Sequence, residues 1–401
     1  MLLTARSRRI GGRVALGVVS ALVVGVTGYA WAQLQRLDEG LVTADVISPS
    51  GQLAGEAGAP LPVAQNILLV GLDSRTGANG LPLPQNLLDS LHAGSGDDGG
   101  NTTDTMIVVH LPAGGAAATA ISIPRDSYVD IPGFGQHKIN SAYSRARAAA
   151  RGQLAASGQS GPQLEMAADA AGAKSAIGTV EKLTGLTINH YAAVNLAGFA
   201  ALSQAVGGVQ VCLNAPVHDT YSGADFPAGE QTLSGAQALA FVRQRHGLPN
   251  GDLDRIARQQ AFLAGMAKNV LGSGTFTDPA RLSSLIDALQ GSVVLDHGWD
   301  LLSFAGRLHG LSTGSIAFAT IPVQSLSLAT PSDGDAVKVD PSQVKKFVQQ
   351  QLGTPGVAAS GGTGATSGGV RPIAETKSAA PSSSATPQQQ PKATAATGCV
   401  N

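Results

Sequence analysis

Charged side chains are scarce in this chain. Asp, Glu, Lys and Arg together make up 13% of its 401 residues, and the formal net charge is −1. Soluble domains usually carry about 25% charged residues, and nucleic-acid-binding domains concentrate basic ones on one face. The composition therefore predicts no nucleic-acid partner. It also makes any local cluster of charged residues a candidate site.

Cysteine is limited to Cys212 and Cys399, and the histidines His190, His218 and His246 lack the spacing of metal ligands. We therefore expect no zinc site. The chain also has no P-loop, and Ser74 and Ser122 have no obvious base beside them, which argues against P-loop NTPases and nucleophilic serine catalysis. Two cysteines in an oxidising compartment usually pair, so a Cys212–Cys399 disulfide is expected. The alternative is one buried thiol and one free thiol.

The N-terminus carries a candidate membrane anchor. Residues 14–32 are nineteen uncharged, mostly apolar residues, and four arginines lie in residues 1–13. This length spans a hydrocarbon core, and the arginines favour a cytoplasmic N-terminus. A cleaved signal peptide is the alternative, but the run exceeds the roughly 7–15 apolar residues of such a peptide. We expect a single-pass cell-membrane protein whose main domain is extracellular.

Composition divides the remaining chain into three parts. Residues 33–61 contain prolines and glycines and are predicted to form an extracellular stalk. Residues 353–401 are mostly Gly, Ser, Ala, Thr, Gln and Pro, and they are predicted to be a disordered tail. Residues 62–352 carry alternating helical and strand patterns, which indicates one mixed domain.

The domain pattern predicts an α/β (α+β) fold, a three-layer α/β/α sandwich around a central mixed sheet. Three strands are predicted from the runs NILLVGLD, DTMIVVHLP and TAISIPRD, the last two joined as a hairpin. Further strands are predicted at His190–Val194, Val209–Leu213 and Ser315–Ile321. Helices are predicted at Asn140–Arg151, Ala168–Leu183, Ala197–Val206, Ser234–Ala240, Asp254–Leu271 and Trp299–His309.

Charged residues flank these three strands. Asp73 and Arg75 follow the first strand, Asp104 opens the second, and Arg125 and Asp126 follow the third. If the second and third strands form an antiparallel hairpin, Asp104 and Arg125 meet at one edge of the sheet. If the first strand runs parallel to the third, Asp73 and Arg75 join them, where open sheets bind ligands. Taken singly, each residue is equally typical of a solvated loop.

The stretch FVRQRHGLPNGDLDRIARQQ, residues 241–260, holds four arginines. Arg243 and Arg245 are two residues apart and would project from the same side of an extended segment. Arg255 and Arg258 lie on one face of the following helix. Paired guanidiniums repel unless they share an anion, and their planar forks fit phosphate oxygens. The pattern predicts a site for pyrophosphate and a divalent cation; the alternative is an ion-pair network such as Arg245 with Asp252.

Five sequence blocks follow one another along the chain: NILLVGLDSR, TDTMIVVHLP, SIPRDSYVDIPGFGQHKINSAY, LSGAQALAFVRQRH and GDLDRIARQQAFL. In this order they resemble the signature blocks of the LytR-CpsA-Psr family, in particular its actinobacterial branch. The resemblance covers about residues 65–352. Their succession makes the resemblance more specific than any single block does.

The resemblance implies a membrane-anchored α/β/α protein that holds a polyprenyl-pyrophosphate lipid, with its tail in an apolar tunnel. It implies Mg²⁺, with Mn²⁺ as an alternative, on Asp73 and Asp104. The implied pyrophosphate-binding residues are Arg75, Arg125, Arg243, Arg245, Arg255, Arg258 and Gln259. The residues expected to act in catalysis are Asp73, Arg75, Arg125, Arg243, Arg245 and Asp252, with either Asp73 or Asp252 as the general base.

The implied activity is a phosphotransferase reaction. A glycopolymer of the teichoic acid, capsule or arabinogalactan type would move from its polyprenyl-pyrophosphate carrier onto peptidoglycan, with release of polyprenyl phosphate. The alternatives are a polyprenyl-pyrophosphate phosphohydrolase, which uses water as the acceptor, and a non-catalytic lipid-carrier or regulatory protein. The expected partners are thus the lipid-linked glycan, peptidoglycan and the membrane.

Two features depart from the family pattern. Thr102 stands where many members carry an arginine, so one phosphate contact would be missing or supplied elsewhere. Residues 76–100 form a longer segment than the family needs, and we expect them to be a mobile lip over the site.

Overall fold

A computed structural model of the chain describes residues 40–47, 63–96, 100–114, 117–272, 279–301, 304, 316–353 and 398–401. The predicted segments 1–13 and 14–32, most of the predicted stalk and most of the predicted tail lie outside these residues. Within the described ranges, no helix is both long enough and apolar enough to cross a bilayer.

The described strands and helices alternate along the chain, as the sequence predicted. The strands are β1 (Val42–Ala44), β2 (Gln65–Leu72), β3 (Thr103–Leu111), β4 (Ala118–Ser122), β5 (Ser127–Ile131), β6 (Gly135–Lys138), β7 (His190–Asn195), β8 (Val209–Leu213), β9 (Val217–Asp219), β10 (Ala224–Phe226), β11 (Gly229–Leu233), β12 (Val293–Asp296), β13 (Ile316–Thr320), β14 (Ser325–Ala329) and β15 (Asp335–Lys338). The helices are α1 (Gln85–Ser90), α2 (Ser141–Ala156), α3 (Gly161–Thr184), α4 (Leu196–Ala205), α5 (Gly235–Arg243), α6 (Asp252–Gly272), α7 (Pro279–Gln290) and α8 (Pro341–Gly353).

The central sheet is mixed and has the strand order β1-β12-β7-β2-β3-β4-β13. Strand β3 pairs antiparallel with both β2 and β4. Strands β2 and β4 therefore run parallel, and the end of each lies beside the start of β3. This confirms the mixed α/β fold and the strand arrangement on which the site prediction depended.

Both faces of this sheet are covered, which explains why its strands read as continuous apolar runs. One face packs against α2 and α3; its buried residues include Leu68, Val70, Met106, Val108, Ile121, Tyr143, Ala173 and Val180. On the other face, Ile67, Leu111 and Ala118 pack with Trp299 and Phe304. Most of the helix predicted at Trp299–His309 lies outside the described residues.

A second core lies beside the sheet and supports the arginine-rich stretch. It is built from α1, α4, α5, α6 and the short strands β8, β10 and β11, and its buried residues include Leu88, Leu91, Leu213, Phe226, Leu239, Phe241 and Phe262. Leu88 and Leu91 belong to the segment 76–100. Because these two side chains are buried, this part of the segment is packed domain structure, and the expected mobile lip is a wrong interpretation of it.

Other differences from the sequence predictions concern elements that were not predicted, among them helices α1, α7 and α8, and one helix boundary. Strand β1 lies within the stretch predicted as a stalk and pairs parallel with β12 at the edge of the central sheet. A second sheet, β14-β15-β5-β6, was not predicted. Helix α5 continues to Arg243 instead of ending at Ala240, so the assumption that Arg243 lies in an extended segment is wrong.

The last described residues return to the second core. Cys212 and Cys399 form a disulfide, 187 residues apart in sequence. Val400 pairs with Leu213 in an isolated parallel bridge, and Val400 N donates to Cys212 O at 2.9 Å. The end of the predicted tail is therefore fixed against β8.

Candidate functional site

The site lies where the ends of β2 and β4 meet the start of β3. Asp73 follows β2, and its backbone N donates to Thr102 O at 2.9 Å. Arg125 follows β4, and its Nη1 lies 2.5 Å from Asp104 Oδ1. The expected meeting of Asp104 and Arg125 is thus confirmed. Thr102 Oγ1 also donates to Asp104 Oδ1 at 3.0 Å, so the threonine that departs from the family pattern supports the carboxylate.

Arg75 is held by the protein on several sides. Its Nη1 lies 2.6 Å from Asp73 Oδ1, and its Nε and Nη2 donate to Ala93 O at 3.0 and 2.8 Å. The guanidinium is 8% exposed. Arg75 therefore joins β2 to the segment after α1 and fixes the Asp73 carboxylate.

Arg243 lies at the end of α5, with its side chain toward the same segment. Its Nη1 donates to Leu91 O at 3.3 Å and to His92 O at 3.2 Å. Burial lowers the pKa of Arg243, and the positive charges of Arg75 and Arg245 lower it further. Asp73 and Asp104 oppose this shift. Charges from β2, β3 and the residues after α5 thus converge around one guanidinium, as the sequence predicted.

The first turns of α6 supply Asp252 and Arg255. The two side chains form an ion pair between Asp252 Oδ1 and Arg255 Nη2, whereas the sequence interpretation had considered Arg245 as the partner of Asp252. Arg255 is 3% exposed, and burial lowers its pKa to about 10. Burial also raises the pKa of Asp252, although Arg255, Arg245 and Arg125 oppose the shift.

The pKa of Asp104 is shifted in the opposite direction from that of Asp252. Burial would raise the pKa of this carboxyl group, but the charges of Arg125, Arg255 and Arg245 lower it. The site therefore contains an ionised carboxylate in Asp104 and, in Asp252, a carboxylate that binds a proton more readily than usual. Two carboxylates with opposite pKa shifts are typical of acid–base sites.

Several buried guanidinium nitrogens of the site have no hydrogen-bond partner in the described part of the chain. They are Arg125 Nε, Arg245 Nη2 and Arg255 Nε. Both carboxylate oxygens of Asp252 likewise lack a hydrogen bond, although Oδ1 contacts Arg255. Buried donors are normally satisfied, and unpaired guanidinium donors in one cluster fit an anion with several oxygens, such as a phosphate.

Arg258 and Gln259 contact the protein rather than the open part of the site. Arg258 is fully buried; its Nη1 donates to Gln244 Oε1 and its Nε to Asn401 O. Its guanidinium also lies 5.1 Å from the centre of the Phe241 ring. Gln259 Nε2 donates to Val242 O at 3.3 Å. Both residues therefore fix the backbone that carries Arg243 and Arg245.

The residues present fit Mg²⁺ only together with a bound anion. Among the described residues, no group of three or more His, Cys, Asp or Glu side chains lies close enough to hold a metal ion. Mg²⁺ is commonly bound by one or two carboxylates with substrate phosphates and water completing its shell. Asp73 and Asp104, at adjacent strand ends, provide two such carboxylates.

A mainly apolar cavity of about 230 Å³ opens beside Asp73, between α3 and the central sheet. Its wall includes Leu72 and Ser74 on either side of Asp73 in the chain, together with apolar residues of α3, β7 and β12. Asp169, Tyr143 and Tyr191 add polar atoms. The sequence did not predict this cavity from its residues; the family resemblance implied an apolar tunnel.

Two further polar residues of the site were not predicted from the sequence. Lys138 Nζ lies 3.6 Å from Oδ1 of Asp126, the residue after Arg125, and Gln244 accepts a hydrogen bond from Arg258. Lys138 and Gln244 come close through turns that the local sequence pattern does not reveal.

Comparison with known proteins agrees with this arrangement. A family model for the LytR_cpsA_psr family matches residues 61–351, which include every site residue described above. The chain belongs to this family. The LytR_cpsA_psr domain thus accounts for the whole region from β2 to α8.

Two relatives illustrate the membership. The chain is 44% identical to the cell wall biosynthesis protein LcpA of Corynebacterium glutamicum, over 85% of this chain and 65% of LcpA. It is 32% identical to the polyisoprenyl-teichoic acid–peptidoglycan teichoic acid transferase TagU of Enterococcus faecalis, over 51% of this chain and 59% of TagU. The chain thus spans less than two thirds of either relative. The crystal structure of Bacillus subtilis TagV shares the fold, with 23% identity, a TM-score of 0.52, and 73% and 99% of the two chains covered.

Proposed function

We propose that this protein is a phosphotransferase that moves a cell-wall glycopolymer from a polyprenyl-pyrophosphate carrier onto peptidoglycan. The observation that carries the proposal is the set of buried donors on Arg125, Arg245 and Arg255 that make no hydrogen bond in the described chain, together with an apolar cavity whose wall includes Leu72 and Ser74, the chain neighbours of Asp73. A lipid pyrophosphate has both parts that such a site requires, an anionic head and an apolar tail. Membership of the family supports the proposal, and so do its relatives, since TagU is a teichoic acid transferase that acts on peptidoglycan and LcpA is a cell wall biosynthesis protein.

In the proposed reaction, a hydroxyl oxygen of peptidoglycan attacks the phosphorus nearer the glycopolymer. The bond from that phosphorus to the bridging oxygen breaks, and polyprenyl phosphate leaves with the electron pair. The new phosphodiester joins the glycopolymer to the peptidoglycan hydroxyl. Arg125, Arg245 and Arg255 hold the phosphate oxygens and stabilise their negative charge in the transition state, a contribution of about 3–4 kcal/mol for one well-placed donor.

The hydroxyl proton needs an acceptor, and Asp252 fits better than Asp73. Each carboxylate has one oxygen paired with an arginine, Asp73 Oδ1 with Arg75 and Asp252 Oδ1 with Arg255, and Asp252 Oδ2 makes no hydrogen bond within the described chain. Burial raises the pKa of Asp252, which makes its carboxylate a stronger base. Mg²⁺ held by Asp73 and Asp104 would neutralise charge on the phosphates.

We further propose that residues 14–32 anchor the protein and that the domain acts outside the membrane. The disulfide supports this location because such bonds persist in oxidising compartments. The donor lipid would then reach the cavity from the same membrane surface.

The test is incubation of the purified protein with a short synthetic polyprenyl-pyrophosphate glycan and uncrosslinked peptidoglycan oligomers, with Mg²⁺ added or chelated. Mass spectrometry of the products distinguishes a transferase, a hydrolase and a carrier protein. A Mg²⁺-dependent phosphodiester adduct is the expected result. Cleaved lipid without an adduct would identify a hydrolase instead, and unchanged donor that remains tightly bound would identify a carrier protein.

A further inference from the structure

Tyr221 is the most exposed large hydrophobic side chain in the described part of the chain. It is 76% exposed, and the next such residue is Leu81 at 49%. Tyr221 lies at the tip of the hairpin formed by β9 and β10. A large aromatic ring that faces solvent at a hairpin tip needs a reason, because its burial elsewhere would be favourable.

The backbone of this tip is fixed although the ring is exposed. Asp219 is 4% exposed, and its carboxylate accepts hydrogen bonds from Tyr221 N at 3.0 Å and Ser222 Oγ at 2.8 Å. Gly223 has a φ of +74° and lies so close to the His92 ring that a Cβ would be 2.9 Å from its Nδ1. A ring on a fixed backbone loses little entropy when it binds a ligand.

His246 extends the aromatic surface toward the arginines. Its ring centre lies 4.3 Å from that of Tyr221, and the two planes are inclined by 32°. His246 is adjacent to Arg245 in the chain, and its backbone oxygen accepts a hydrogen bond from Gln244 Nε2 at 3.0 Å. Its Nδ1 lies 3.6 Å from Asp219 Oδ1, so the same buried carboxylate supports both rings.

The chemistry of the pair fits a sugar ring. The faces of aromatic rings carry partial negative charge and pack against polarised C–H groups, while the imidazole and phenol edges supply hydrogen bonds for hydroxyl groups. A pyranose ring presents both features, C–H groups on its face and hydroxyl groups around its rim. The rings of Tyr221 and His246 can therefore bind a sugar ring by stacking and by hydrogen bonds.

The in-line course of phosphoryl transfer decides which carbohydrate binds here. The attacking hydroxyl must approach the phosphorus from the side opposite the leaving group. In the proposed reaction, the leaving polyprenyl phosphate would lie toward the cavity, whose wall includes Leu72 and Tyr143 of the first core. The hairpin packs on the other core through Ala224 and Phe226. Arg75 follows the cavity residue Ser74 in the chain and Arg245 precedes His246, which assigns the aromatic pair to the acceptor side of the arginines.

We propose that Tyr221 and His246 form a stacking platform for a pyranose ring of the acceptor glycan. The proposal rests on the proposed function, since the acceptor is assigned by the transfer reaction. It names two binding residues that hold the glycan while its hydroxyl group reaches the phosphate. The donor glycan is the competing occupant.

The first experiment measures binding without turnover. A soluble peptidoglycan glycan-strand fragment is titrated into the full protein, without donor, and followed by saturation-transfer NMR. Wild-type protein and Tyr221→Trp are expected to bind it, and Tyr221→Leu and His246→Ala to bind it roughly three- to tenfold more weakly. His218→Ala is the matched control, because His218 is 76% exposed on the same hairpin and its Nδ1 lies 3.5 Å from the exposed Asp225. Equal binding by all variants, or none by wild type, would overturn the platform.

The second experiment tests whether the two rings bind the acceptor glycan or the donor glycan. In the transfer assay, Tyr221→Leu is expected to raise KM for the acceptor roughly three- to tenfold, the same factor by which it weakens binding of the fragment. KM for the donor and kcat should stay close to the wild-type values. A rise in KM for the donor alone would assign the rings to the donor glycan and overturn the proposal. If wild type binds the fragment through Tyr221 but transfers nothing, the platform stands and the transfer function fails, so the two failures are distinguishable.

Discussion

Arg125 Nη1 lies 2.5 Å from Asp104 Oδ1 and joins the end of β4 to the start of β3. The pair keeps Asp104 ionised against the effect of burial. Arg125 Nε lies 3.7 Å from Asp126 Oδ1 and makes no hydrogen bond within the described chain, so it can still donate to a ligand. One guanidinium thus both positions a carboxylate and offers a donor to phosphate. The two functions can be separated by substitution.

Arg125→Ala is expected to lower kcat/KM by about 10²–10³-fold, the usual cost of removing one transition-state donor. Arg125→Lys should recover only part of this loss, because an ammonium group cannot contact Asp104 and a phosphate with two parallel donors. Steady-state kinetics with a fixed acceptor concentration measures both. Arg145→Ala removes a comparable ion pair with Asp333 at the second sheet and should leave the activity unchanged.

Arg75 and Arg245 are expected to differ in their effect on stability. Arg75→Ala leaves Ala93 O and Asp73 without their donors, and we expect it to lower the free energy of unfolding by about 1–3 kcal/mol. Arg245→Ala removes a guanidinium with an unpaired Nη2, so it should change stability by no more than about 0.5 kcal/mol. Urea unfolding measures the free energy of unfolding of both variants and of the wild type.

The same two variants should differ in ligand affinity in the opposite order, with Arg245→Ala more strongly affected than Arg75→Ala. Titration calorimetry with inorganic pyrophosphate and Mg²⁺ is expected to show the larger loss of affinity for Arg245→Ala. A strongly destabilised Arg245→Ala protein would mean that this side chain serves the fold, and the assignment of an anion to its free donor would be wrong.

Five strands of the central sheet, β2, β3, β4, β7 and β13, could be predicted from sequence because they are mostly apolar runs in a sheet covered on both faces. The short strands β1 and β12 of the same sheet were not predicted. The second sheet could not be predicted in this way. Its strands, such as Gly135–Lys138 and Ser325–Ala329, are short and largely polar, and β15 pairs with β5 through Val337 and Ser127, which are far apart in the chain. Local patterns carry little information about such pairing.

The charged residues of the site could be predicted because charge is rare in this chain and several arginines stand in one stretch. Their individual contacts could not. Arg258 was expected to bind pyrophosphate, but the structure has it beneath Phe241 and bonded to Gln244 and Asn401. That contact depends on the return of the chain terminus, which no spacing within residues 241–260 reveals.

The pH dependence of the reaction should report Asp252. A base must be unprotonated, so activity is lost as pH falls through its pKa. Burial raises the pKa of Asp252, and the acidic limb of kcat/KM is therefore expected above the value of about 3.9 for an ordinary aspartate. Asp252→Asn should lower kcat by about 10²–10⁴-fold and abolish this limb. An unchanged acidic limb in Asp252→Asn would return the role to Asp73.

The disulfide is expected to stabilise the domain and to hold Asn401 at Arg258. Closure of so long a loop is worth about 5 kcal/mol on the chain-entropy model, and measured losses are usually about 2–5 kcal/mol. Cys399→Ser should therefore lower Tm by several degrees. Reductant should produce the same shift in the wild type and none in the Cys212→Ala, Cys399→Ala double variant. A wild-type Tm that does not respond to complete reduction of the disulfide would contradict this account.

Gly172 sets the distance between α2 and α3 beside the cavity. A Cβ at this position would lie 2.9 Å from Tyr143 O and 3.0 Å from the Tyr143 ring. Gly172→Ala is therefore expected to push the helices apart and to lower the free energy of unfolding by about 1–3 kcal/mol. Gly178, on the same helix, has open space around its Cβ position, so Gly178→Ala should stabilise the protein by about 0.5–1 kcal/mol.

The same pair of variants tests the cavity. Tyr143 forms part of its wall, so movement of this ring in Gly172→Ala should weaken binding of a short polyprenyl phosphate, whereas Gly178→Ala should bind it like the wild type. Fluorescence competition with a labelled polyprenyl phosphate measures both affinities. Equal affinities, combined with the expected loss of stability in Gly172→Ala, would show that the lipid does not contact this wall, because the substitution would then have moved α2 and α3 without affecting the ligand.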